Sequence, residues 1–131
     1  MGHSGMIAAL SAVLASGCAT AAPDPVSVTL EETRFLAENI VQVVVAVEGV
    51  PDPAVIRTAT DCAAAEAAML QRLDFARHVR TAMREEGGIR RADAVYSVTK
   101  DVPRGDFILD VAVQAEACRE LEEAGVIANY G

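Results

Sequence analysis

The reactive chemistry in this sequence comes from three thiols, one internal imidazole and a run of guanidinium groups. The thiols are Cys18, Cys62 and Cys118; the imidazole is His78; the arginines are Arg77, Arg80, Arg84, Arg90 and Arg91. A histidine near a carboxylate can act as a general base, and Asp74 and Asp93 are the carboxylates expected near His78. The same histidine also fits a solvated strand position. Nucleophilic catalysis further needs a nucleophile and an orienting group. After Cys18 the only serines are Ser27 and Ser97, both inside strand patterns. No GxSxG, HExxH, Walker loop or GxGxxG occurs. A carboxylate pair of the glycosidase kind is set by spatial spacing. With no Trp, and Tyr96 and Tyr130 as the only tyrosines, a sugar-stacking platform is poorly supplied. Cys62 and Cys118 are too far apart for a zinc knuckle, so neither a metal nor a resident cofactor is expected. If Arg77, Arg80, Arg84, Arg90 and Arg91 shared a face they would form a candidate binding patch for phosphate or an acidic partner. The alternative is cross-strand pairing with Glu85, Glu86 and Asp93.

Cys18 has the most specific surroundings. The apolar run Met6 to Leu14 precedes it, and Leu14-Ala15-Ser16-Gly17 leads directly into the thiol. Such a run is too short to span a bilayer, which takes roughly 20 apolar residues, and has the length of an export-signal core. Leu14 to Cys18 resembles the lipobox of bacterial lipoprotein precursors. The resemblance implies a diacylglyceryl thioether on Cys18, cleavage between Gly17 and Cys18, and acylation of the new amine. These acyl chains are the only covalent group expected. It implies a signal peptide over residues 1–17, an anchor in the lipid bilayer and the periplasm as compartment. By resemblance to Gram-negative sorting, Ala19 after the lipidated cysteine implies the periplasmic face of the outer membrane. Residues 18–25, with Pro23 and Pro25, read as a flexible tether.

Removing 17 of 131 residues leaves 114, enough for one domain over residues 26–131. Every charged side chain follows residue 23, so the net charge of -8 stays with that domain, which excludes nucleic acid as a natural partner. In an oxidising compartment Cys62 and Cys118 read as a disulfide; in a reducing one Cys62 is simply a small residue on an alanine-rich helix.

The elements that would position these groups follow from periodicity. Val26, Val28 and Leu30 alternate with polar residues as a strand. Ile40 to Glu48, rich in valine, reads as a central strand. Asp52-Pro53 is a helix start, and a helix is expected from Pro53 to about Arg72. Its apolar stripe is expected to hold Val55, Ile56, Ala59, Cys62, Met69 and Leu70, with Thr60 and Asp61 opposite. Glu66 falls within that stripe and needs either an arginine partner, Arg77 or Arg80, or access to water. Residues 74–86 fit helix or strand, and strand is chosen. Glu85-Glu86-Gly87-Gly88 then turns into a strand from Ile89 to Thr99. After a turn at Val102-Pro103-Arg104-Gly105, Phe107 to Val113 reads as the last strand.

The expected fold is α+β: an antiparallel sheet of four to five strands with one helix packed on one face and a disulfide from helix to sheet. Cys62-Ala63-Ala64-Ala65 and Ala92-Asp93-Ala94-Val95-Tyr96 resemble segments of small uncharacterised envelope lipoproteins of Gram-negative bacteria. That resemblance implies no activity. The expected role is a non-enzymatic interaction or accessory module with an envelope protein as partner, through the sheet edge or the arginine hairpin. The alternative is a small periplasmic hydrolase or ligand-binding protein using His78 and nearby carboxylates. A third is an inhibitor that adds a strand to its partner.

Overall fold

The computed structural model describes residues 2, 27–49 and 52–123. Cys18, the expected tether and all but residue 2 of the expected signal peptide lie outside the described residues. The elements are β1 (Ser27–Ala37), β2 (Ile40–Glu48), α1 (Pro53–Leu70), β3 (Phe75–Glu86), β4 (Ile89–Thr99), β5 (Ile108–Asp110) and α2 (Val111–Glu123). The fold is α+β, with a five-stranded antiparallel sheet in the order β1-β2-β4-β3-β5. Residues 75–86 are strand. Gly87 and Gly88, at φ 60° and 79°, supply the two left-handed positions of the β3–β4 turn, which a two-residue hairpin requires.

The sheet's centre follows from its residue types. Val41, Val43, Val45 and Val47 of β2 are fully buried on one face, beside Ala92, Ala94, Tyr96 and Val98 of β4. Burying each valine contributes about 1.5–3 kcal/mol. Helix α1 lies on this face. Asp52 caps it by accepting from the Ala54 N–H at 2.8 Å, and Pro53 occupies the first turn. Alanines 59, 63, 64, 67 and 68 let it sit close to the valines. The helix stops at Leu70 because Arg72 turns left-handed at φ 58° and the Leu73 N–H folds back to the Ala68 carbonyl.

Two expectations are corrected. The stripe on α1 is rotated: Thr60, Ala64 and Ala65 are buried, whereas Glu66, Met69 and Leu70 are exposed. Thr60 and Ala64 turn toward the sheet, where Thr60 meets Tyr96, and Cys62 meets a second packing partner, α2. The expected last strand shortens to Ile108–Asp110, after which the chain becomes helical. Asp110 Oδ1 accepts from the Val113 N–H at 3.2 Å, the geometry of a helix cap. Cys118 therefore sits on α2, and the disulfide Cys62–Cys118 joins helix to helix, with Cα atoms 5.8 Å apart. Val111 is anchored in the sheet core, and its N–H donates to the Asp74 carbonyl at 3.0 Å. Beyond it, Cys118 and Leu121 are the side chains that pack as a cluster with Cys62. The side-chain bonds of α2 among the described residues, Gln114 to Cys118 and Arg119 to Glu116, stay within the helix.

The disulfide is thus expected to hold α2. Reduction should cost on the order of 4 kcal/mol by the chain-entropy account. Hydrogen exchange with and without reductant should show residues 114–123 losing protection while β2 and β4 keep theirs. Equal protection of α2 in both conditions would mean that packing alone suffices.

Candidate functional site

Tyr96 sits on the central strand β4, opposite Val41 on one side and His78 on the other, and is fully buried. A buried phenol needs a hydrogen-bond partner. Helix α1 supplies it through two adjacent residues. The Tyr96 hydroxyl lies 3.0 Å from Thr60 Oγ1 and donates to the Asp61 carboxylate. Arg57, one turn earlier on α1, donates from Nε to the same Asp61 Oδ1 at 2.8 Å. Thr60 Oγ1 also lies 3.1 Å from the Arg57 carbonyl. The Arg57 guanidinium stands 5.8 Å over the ring of Phe107, which is 73% exposed and has a left-handed backbone at φ 59°. An aromatic residue seldom adopts that conformation. His78 meets the Tyr96 ring edge-on, with centroids 5.3 Å apart, and its Nε2 is 2.7 Å from Thr81 Oγ1.

The electrostatics follow from this geometry. Burial, then the charge and hydrogen bond of Asp61, push the Tyr96 phenol far above its ordinary range, so it stays a neutral donor. Burial and then the Arg57 charge push the His78 imidazole down, with Asp61 opposing. Burial acts to lower Arg57, but its hydrogen bond and charge pairing with Asp61 leave it raised. The carboxylate of Asp61 is taken up by Arg57 and Tyr96, and His78 Nε2 by Thr81. Arg57, Thr60, Asp61 and Tyr96 brace helix to sheet, while the Thr81 hydroxyl lies within hydrogen-bond reach of the His78 imidazole on β3.

The expected site residues are distributed differently. Asp74 pairs with Lys100 at 2.8 Å. Asp93 lies on the other face of the sheet, where both its oxygens accept from Gln42 Nε2 at 2.9 Å. The carboxylate whose charge reaches His78 is Asp61, which helical periodicity places on a solvent face. Glu66 is exposed and makes no ion pair with Arg77 or Arg80.

Strand register puts Arg77, Arg80, Arg84 and Arg91 on the face away from the helices, and Arg90 on the helix side. Arg91 pairs with Glu31 at 2.8 Å and more loosely with Glu86 at 3.9 Å; Arg90 reaches Glu85 at 3.8 Å. The hydrogen bond from Arg91 holds the Glu31 carboxyl below its ordinary value. Arg77 runs beneath Gly105, where a Cβ would stand 2.8 Å from its Nη1, and its Nε is buried without a partner. Arg80 and Arg84 form no ion pair among the described residues. The face is therefore cationic along β3 and paired along β4. A groove of about 420 Å³, lined by Phe35, Ala37, Glu38, Gln71 and Leu73, includes none of the Tyr96 cluster. Among the described residues no three His, Cys, Asp or Glu side chains gather as a metal site, and no helix is long and apolar enough to cross a membrane.

A family model described as the YNQ4 C-terminal domain matches residues 29–122, which runs from β1 to the end of α2. No curated protein and no solved structure matches the chain.

Tyr96→Phe should lower stability by about 1–3 kcal/mol, since it leaves Asp61 short of a buried donor. A double-mutant cycle with Asp61→Asn, read by urea unfolding, should show strong coupling; additive losses would mean that the contact carries no energy. His78 gives a pH signature. Its folded value lies below the unfolded value of about 6.5, so the unfolded chain binds the extra proton. Stability should fall as pH drops through the unfolded value, then level off below the folded one. His78→Gln should remove that part of the urea-midpoint profile between about pH 7.5 and about pH 5, the span around an ordinary histidine.

Proposed function

The chain belongs to the YNQ4 C-terminal domain family, a name that carries no activity, and from the molecule's own chemistry we propose that it is a membrane-anchored periplasmic lipoprotein acting as a non-enzymatic interaction module. The observation that carries this reading is the pairing of Cys62 with Cys118. A structural disulfide belongs to an oxidising compartment, and this one consumes both thiols of the folded unit. Cys18 is left over, in a lipobox-like setting, as the acceptor for a diacylglyceryl group and an N-acyl chain. Acyl chains bind a bilayer by about 0.8 kcal/mol per buried methylene, and several together give a stable anchor. Residues 19–26 separate Cys18 from the first strand, a reach of up to about 29 Å when extended. The outer membrane is the proposed site, with an envelope protein as partner.

The polar cluster favours binding over catalysis. Each of its charged or hydroxylic groups is engaged by another member, whereas the β3 edge beyond β5 and the arginine face are open to a partner among the described residues. The hydrolase or ligand-binder reading around His78 has less support, because Asp74 and Asp93 are bound elsewhere and Asp61 is bound to Arg57 and Tyr96.

The test is metabolic labelling. Cells producing the full chain, or its Cys18→Ala variant, are fed a clickable palmitate analogue and fractionated. The wild type should carry label and sediment with the outer membrane, while the variant should lose both properties. Label on the variant, or an unlabelled soluble wild type, overturns the anchor.

A further inference from the structure

Strand β3 is only partly paired on its outer side. β5 covers Phe75, Ala76 and Arg77; from His78 onward no strand among the described residues lies beside it. Residues 80–86 are exposed on both faces as well as along that edge. A bulge at Val79 precedes them, and from Arg80 to Glu86 the pairing with β4 is regular. Exposed edges of this kind normally carry features that discourage pairing. Here the bulge leaves a regular stretch free, and Met83, 49% exposed, sits at its middle.

The side chains of this stretch match an inverted copy of themselves. Strand parity puts Arg80, Ala82, Arg84 and Glu86 on the outer face, and Thr81, Met83 and Glu85 on the helix side. Let a second β3 run antiparallel with the two-fold axis at Met83. Arg80 then faces Glu86 of the partner subunit, and Glu86 faces Arg80 of the partner subunit. Ala82 faces Arg84 of the partner subunit, so the long guanidinium has a small neighbour. Thr81 faces Glu85 of the partner subunit, and the two Met83 side chains meet. The tip Gly87-Gly88 falls opposite the bulge at Val79, where neither glycine has a neighbour within 4 Å of a built Cβ. Sliding the register inward by one pair, with the axis at Ala82, would set Arg80 against Arg84 of the partner subunit, a like-charge clash.

From this complementarity we infer that β3 is a homodimerisation edge, joining two five-stranded sheets into one continuous sheet through residues 80–86 of each copy. The inference goes beyond the interaction role proposed above by naming the occupant, a second copy of this chain. It does not depend on the lipid at Cys18. The contact is a strand edge with two equivalent charge pairs, so the dimer is weak and salt-sensitive. It gives Arg80 a carboxylate partner, which it lacks among the described residues of its own chain.

Sedimentation equilibrium on the purified full chain tests it. Association should be reversible and should weaken as salt is raised. Arg80→Glu and Glu86→Arg should each weaken it by about tenfold, because each single change makes both pairs like-charged. The double variant Arg80→Glu/Glu86→Arg restores opposite charges and should recover the dimer. Circular dichroism confirms that each variant folds. Met83→Cys should crosslink copy to copy under oxidation, with mass spectrometry showing two copies of the same peptide joined by a disulfide at position 83. A chain that stays monomeric, a dimer indifferent to the charge swaps, or a double variant that fails to recover would each overturn the inference. So would concentration-independent protection of those amides of residues 80–86 that point away from β4.

Discussion

A helix built largely of alanine can approach a sheet closely only if the sheet offers small, flat side chains beneath it. Valines 41, 43, 45 and 47 and alanines 92 and 94 provide that surface, and Ala59, Ala63, Ala64, Ala67 and Ala68 meet it. The spacing admits one large side chain, Tyr96, and the phenol brings a hydroxyl into a place that water does not reach. That hydroxyl has to be bonded there, because an unpaired one would cost about 1–3 kcal/mol. Thr60 and Asp61 are on α1 at the positions that meet it. The rotational setting of the helix is therefore fixed less by its apolar residues than by this polar contact, since alanines at so many positions discriminate weakly between settings.

That constraint explains which parts of the fold were legible in the sequence. Strand β2 announced itself by four alternating valines, β4 by the alternation of Ala92, Ala94, Tyr96 and Val98, and α1 by Asp52-Pro53. The setting of α1 was not legible, because Met69 and Leu70 suggest a stripe that runs toward its end and they are exposed there. The buried residues Cys62 and Ala65 belong to a second face, where Cys62 meets α2. The first turn of α2 was read as strand because Phe107 to Val113 alternate in apolar character. The missed signal was Asp110 as a cap, followed by Ala, Gln, Glu and Arg, which favour helix in any context.

The site shows the same division. Cys62 and Cys118 were legible as a pair, although the element that carries Cys118 was not. His78 was recognised, but its carboxylate was sought on neighbouring strands. Asp61 was missed because helical periodicity placed it on a solvent face. A signal did exist: a tyrosine in the apolar alternation of a central strand implies a polar partner on whatever packs over it, and Thr60-Asp61 is the polar pair on the helix. The arginines divide by strand. Those on β4 have acidic neighbours across β1 and β3, as cross-strand pairing would require, whereas Arg80 and Arg84 on β3 form no ion pair among the described residues.

This division bears on function. Asp61 lies between a guanidinium and a phenol and is hydrogen-bonded to both. Use of Tyr96 as a base or nucleophile would need the phenol to ionise, which burial and the adjacent negative charge oppose. Arg57, Thr60, Asp61 and Tyr96 therefore tie α1 to β4, and Arg80 and Arg84 on β3 are left without an ion pair among the described residues. They are held in register, because β3 pairs along its length with β4 and β4 is tied to α1 through Tyr96. A strand edge with fixed register and charges left without an ion pair is suited to recognising another strand.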